Sequence, residues 1–215
     1  MIDFVKVRHS DRRLTVRTEG LKASGHSEIS VNVDADLVEE SERFLKHVSD
    51  YLSGSGKQLK PGETMAYGYW LVKFQGVEQE DHLETWEYSP DASVFVKGVD
   101  LTLGYWRDQH FVCDQHNAAF SPPRPDKLTV ISAGVIEGLP VQGIRYPSPD
   151  HMSGWWITTD LYDGNIKSLR HEHTYHVTAA RPDLAKYLAL PDGFRFNFSV
   201  AEEVWLDEKA LEPAT

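Results

Sequence analysis

Short stretches in which every second residue is apolar recur along this chain, and they constrain its fold more than any other feature. Ile29, Val31 and Val33 alternate with polar neighbours, as do Phe194, Phe196 and Phe198 around Arg195 and Asn197. A period of two places such residues on one face of a pleated strand and leaves the other face polar. From Ile2 to Val33 the pattern predicts three strands. Thr64 to Phe74, Glu80 to Tyr88 and Ser93 to Val96 read as further strands. Leu128 to Ile131, Val141 to Ile144, Ser153 to Thr159 and Phe194 to Phe198 follow, with Val204 to Leu206 as an edge strand.

Helical signals are fewer. Leu37, Phe44, Leu45, Val48, Tyr51 and Leu52 share one helical face, with Asp34 or Asp36 as cap and Gly54-Ser55-Gly56 as stop. Asp100 to Asn117 fits a helical face loosely, and Arg181-Pro182-Asp183 opens a short helix with proline at a tolerated early position. Three prolines within Ser121–Pro125 mark the best boundary. The expectation is an α+β fold: mostly antiparallel sheets with a few packed helices, in two small domains, 1–122 and 123–215.

Composition narrows the function classes. Hydrophobic residues make up 40% of the 215, enough to bury a core, and the net charge of -11 repels phosphate backbones and anionic lipid. Nucleic acid and membrane are therefore excluded as partners, whereas a basic protein is favoured. Solubility alone accounts for the charge equally well. A single cysteine, Cys113, fits a reducing compartment, and Met1 to Arg13 lacks the apolar core of a signal peptide. No apolar run approaches the ~18 residues of a membrane span, so the expected location is the cytoplasm.

No complete catalytic motif occurs. His171, His173 and His176, with Glu172 between the first two and Asp150 and His151 upstream, are the densest cluster of metal-capable side chains. On a strand His171 and His173 share a face; on a helix His173 and His176 come nearest to doing so. Neither arrangement matches a known zinc spacing, and structural or surface histidines are the simpler reading. Asp150, Asp160 and Asp163 could supply an acid/base pair, although aspartate in turns ordinarily bonds its own backbone. Cys113 lies near His110 and His116 in sequence but reads more simply as a small core residue. Ser153-Gly154 precedes its strand and lacks the nucleophile elbow, and Gly54-Ser55-Gly56 does not open a helix as a phosphate loop would. No cofactor is expected.

Adjacent strand residues point to opposite faces, so Trp155 and Trp156 should place one ring in the core and present the other outward. An outward ring there could anchor an interface; if both sheet faces are covered, the pair is only core.

The stretch Tyr146-Pro147-Ser148-Pro149-Asp150-His151-Met152-Ser153-Gly154-Trp155-Trp156-Ile157-Thr158-Thr159-Asp160 resembles the bacterial polymorphic-toxin immunity protein family 33. The likeness continues through His173 to Thr178, Arg181 to Pro191 and Gly193-Phe194-Arg195-Phe196, covering about the last ninety residues. Such a resemblance implies a non-enzymatic cytosolic antitoxin that binds a cognate toxin, of the kind delivered by contact-dependent or type VI secretion in interbacterial competition. It fixes no toxin chemistry.

Under this reading acidic side chains imitate the toxin's anionic substrate while aromatic anchors exclude water. Asp150, His151, Trp155, Asp160 and Asp163 are the expected partner-facing residues, together with Arg145 and Arg181 as braces of the contacting loops. The flanking loops Pro149 to His151 and Asp160 to Asn165 are the better expectation for contact than the tryptophans. The rival is an enzyme using the three histidines with Asp150 to hydrolyse a small substrate or reverse a toxin's modification. A small-molecule-binding module is a third reading.

Overall fold

The computed structural model describes residues 2–78, 81–198 and 201–212. It divides into two compact units, Met1–Arg107 and Asp108–Thr215, each built on one mixed, mainly antiparallel sheet. The fold is α+β, as the alternating segments predict. The proline segment Ser121–Pro125 lies inside the second unit, where the Ser121 N–H donates to the Ala189 carbonyl at 2.8 Å.

In the first unit β1 (Asp3–Arg8), β2 (Arg13–Glu19) and β3 (Glu28–Asp34) form an antiparallel meander. β3 then pairs in parallel with β6 (His82–Tyr88), which continues to β5 (Trp70–Gly76) and β4 (Thr64–Tyr67), while β7 (Phe95–Lys97) also pairs with β6. The stretch Thr64–Phe74, expected as one strand, is a hairpin. Gly68 at φ 61 supplies the left-handed turn that a single apolar run conceals. Glu80, the expected start of β6, lies outside the described residues.

Helix α1 (Val38–Ser55) lays Phe44, Leu45, Val48 and Leu52 against Val16, Ile29, Val31, Val33 and Val72. Asp34 caps the preceding 3-10 turn by accepting from the Asp36 N–H at 3.1 Å, and Gly56 at φ 64 ends α1. Gly54 is therefore within the helix and not its stop. Helix α2 (Asp100–Gln115) starts on the buried Glu87 carboxylate, which accepts from the Leu101 and Thr102 N–H groups at 2.9 and 2.6 Å and from the Thr102 hydroxyl at 2.7 Å. Burial nevertheless outweighs these donors and raises the Glu87 pKa above the ordinary glutamate range. The division between the units falls within α2.

The second unit orders its strands as β11 (Arg170–His173), β8 (Leu128–Ile131), β10 (Met152–Thr158), β9 (Gln142–Arg145), β12 (Phe194–Asn197) and β13 (Glu203–Leu206). Only β8 and β10 run parallel. Helix α3 (Thr174–Ala180) follows β11 directly, and Pro182–Tyr187 form a 3-10 helix whose Leu184, Ala185 and Tyr187 are buried. Trp155 and Phe196 approach with ring centroids 5.2 Å apart, and Tyr187 reaches Phe196 at the same separation. This close packing needs Gly143, whose added Cβ would lie 2.3 Å from Phe196 Cζ.

Candidate interaction surface

β10 organises the second unit because loops that carry most of the expected contact residues leave both of its ends. It enters through Pro149–His151 and leaves through Thr159–Asn165. At ~3.3 Å per residue, a strand of this length keeps the two loops ~20 Å apart. The structure therefore places Asp150 and His151 at one end and Asp160 and Asp163 at the other. A bulge between Met152 and Trp156 shifts the pairing with β8, and Gly154 sits in it at φ +83. A Cβ there would meet the Tyr146 carbonyl at 2.6 Å.

Because β8 and β10 are parallel, their entry loops meet. Arg124, Asp126, Lys127, Asp150, His151 and His173 line an open groove of about 360 Å³. Arg124 forks onto Asp126 at 3.0 and 2.7 Å, and His173 Nδ1 lies 2.9 Å from the Asp126 carbonyl oxygen. His173 stacks on Tyr175 with centroids 5.3 Å apart and meets His176 edge-on at 5.8 Å. His176 Nδ1 lies 3.6 Å from Glu172 Oε2. His171 is on β11, opposite Val130, and does not line the groove. The three histidines are thus split between a strand and the helix after it. No group of three or more His, Cys, Asp or Glu side chains among the described residues is arranged to hold a metal ion.

At the exit end, Thr159 ties the loop after β10 to the loop after β8. Its N–H donates to Ser132 Oγ at 3.0 Å and its hydroxyl to the Ala133 carbonyl at 2.7 Å. Asp163 accepts from the Asn165 N–H at 2.9 Å, and Asn165 in turn accepts from the Lys167 N–H at 3.0 Å, so both serve turns. Asp160 is exposed, and so are two apolar residues of the same segment: Leu161 is 63% exposed and Ile166 69%. Neither stood out in the sequence, although apolar residues set in a turn-rich segment carry that signal.

Trp155 is not at the surface. Its ring is 0% exposed, and its indole N–H donates to the Leu188 carbonyl at 3.1 Å, so the expected anchor is a core group. Trp156 is half-buried and meets Tyr146 edge-on at 5.9 Å. Arg145 is also buried, and Nη1 donates to the carbonyls of Ser121, Leu188 and Leu190 at 2.5, 3.2 and 2.6 Å. Nε approaches Asp192 Oδ1 at 3.2 Å as an ion contact without hydrogen-bond geometry. Burial lowers the Arg145 pKa, opposed by the Asp192 charge. Arg181 donates to the Val135 and Leu139 carbonyls at 3.1 and 3.0 Å and forks onto Asp183. Arg181 spends its donors on holding a loop, and Arg145 is buried with Nη1 serving three carbonyls, which leaves both with little to offer a partner.

Residues 108–207 match the Imm33-like domain, and the matched segment lies entirely within the second unit. No curated protein and no solved structure matches the chain.

Proposed function

We propose that this chain is an immunity protein that binds a cognate bacterial toxin or secreted effector and blocks its active site without catalysis. The observation that carries the reading is the Imm33-like match over residues 108–207. The matched unit is acidic, with nine Lys and Arg against fifteen Asp and Glu, which favours approach to a basic toxin surface. In this reading the Thr159–Asn165 loop and the 3-10 turn that follows it present Leu161 and Ile166 as apolar contacts and Asp160 and Asp163 as charged ones. Asp150 and His151 form a separate contact at the entry end, whereas Trp155, Arg145 and Arg181 act by holding the loops in place.

The test is co-expression with the product of the adjacent gene, paired with a binding measurement on the purified proteins. Protection of the cells and a tight complex are expected; a chain that neither binds nor protects refutes the proposal. Replacing His171, His173 and His176 together by alanine is expected to leave protection intact. Loss of protection without loss of folding would instead favour a hydrolytic reading of the groove at Asp150.

A further inference from the structure

The two edges of the second sheet are built differently. β11, at one edge, reads Arg-His-Glu-His from Arg170 to His173, a charged and polar strand of the kind that discourages pairing. β13, at the other edge, carries Val204, Trp205 and Leu206 with no proline and no bulge against β12. Trp205 is 40% exposed and Leu206 48%, and Leu211 adds a third exposed apolar side chain beyond the strand.

The backbone orientation follows from one hydrogen bond. The Asp207 N–H donates to the Gly193 carbonyl at 2.8 Å, towards β12. Since direction alternates along a strand, Trp205 and Glu203 also face β12, and the N–H and C=O groups of Val204 and Leu206 face away from it. Among the described residues nothing pairs with these outward N–H groups. The side chains of Val204 and Leu206 lie opposite Phe196 and Phe194, so they continue the core-facing row of β12 to an uncovered edge.

Charge selects the occupant. Asp207 is neutralised by Arg195 at 2.6 Å and Glu202 by Lys186 at 3.0 Å. Glu203, Glu208 and Glu212 are exposed and have no ion-pair partner among the described residues, and Lys209 is the lone cation from Ala201 to Glu212.

We propose that β13 receives an extended, net-basic segment of a protein partner by strand addition. The segment's backbone pairs with Val204 and Leu206, its apolar side chains cover Leu206 and Leu211, and its cations meet Glu203, Glu208 and Glu212. That the partner is a toxin rests on the function proposed above; the pairing edge does not.

Two arms test this on the full chain. In the first, amide NMR follows titration with a short peptide of alternating lysine and valine, then with its glutamate–valine counterpart. The lysine peptide is expected to shift the Val204 and Leu206 amides and slow their exchange, with binding at least ~10-fold weaker for the glutamate peptide. Val204→Pro removes only an outward N–H, so it should fold and lose the response. Leu206→Lys provides a second variant that leaves the backbone unaltered. Shifts centred elsewhere, equal responses to both peptides, no response at millimolar peptide, or a response surviving both substitutions would overturn the assignment.

In the second arm the product of the adjacent gene is titrated against wild type and Val204→Pro. Equal affinities would overturn the edge assignment while leaving the immunity reading standing. If wild type itself fails to bind, the immunity reading falls, and the peptide titration still decides the edge.

Discussion

Trp155 and Arg145, directly opposite each other across β10 and β9, donate to the same acceptor, the Leu188 carbonyl oxygen, at 3.1 and 3.2 Å. The shared oxygen ties the sheet to the segment after the 3-10 helix Pro182–Tyr187. Arg145 extends the tie to Ser121 and Leu190.

Arg145→Met leaves three carbonyls short of a donor and is expected to cost about 3–5 kcal/mol, measured by urea denaturation. Trp155→Phe removes one of two donors to Leu188 and some core volume, for about 1–2 kcal/mol. Because the donors share an acceptor, the double variant should depart from additivity by at least ~0.5 kcal/mol. A loss below ~1 kcal/mol for Arg145→Met would mean that water satisfies those carbonyls in its place.

Two carboxyl groups shape the pH dependence with opposite signs. The Tyr187 hydroxyl, assisted by Lys186, donates to Glu202 and holds its pKa below the ordinary glutamate range. Its contribution is present above the unfolded-state pKa and is lost as pH falls through the depressed folded value. Glu87 is raised by burial, so its contribution is present below the unfolded-state pKa and is lost as pH rises through the raised folded value. Tyr187→Phe should therefore flatten the acid limb of stability against pH, and Glu87→Gln should flatten the decline above it. Urea midpoints collected between pH ~3 and ~7 test both, and an unchanged profile in either variant would contradict the assignment.

Cys113 is buried, and its thiol is pushed up to about 11 by burial and the Asp114 charge, against the opposing charge of Arg145. At pH ~8 only about one thiol in a thousand is ionised, so a disulfide reagent should modify the folded protein at least ~100-fold more slowly than the protein in urea. Rapid labelling of the folded chain would refute this.

Elements whose signal lies within themselves were legible from the sequence. Phe194 and Phe196 alternate because β12 has one buried face, and the Asp34 cap and the apolar face of α1 are local patterns. β11 escaped because Arg170–His173 has no apolar residue; backbone pairing with β8 alone makes it a strand. The site was harder to read. Trp155 looked like an anchor because alternation shows that two neighbouring rings face opposite ways, but not which face is covered. The burial of Arg145 depends on carbonyls from Ser121, Leu188 and Leu190, which lie far from it in sequence. The edge position of Val204–Leu206 was legible, whereas the other edge, β11, was not, because strand order is not encoded in any local pattern.

The separation of the loops at the two ends of β10 bears on how such a chain changes over generations. A stiff, buried strand insulates one loop from the other, so substitutions at Asp150 or His151 and at Asp160 to Ile166 should combine without interfering. Under the proposed function, a lineage facing an altered partner can revise one end while the other keeps its grip.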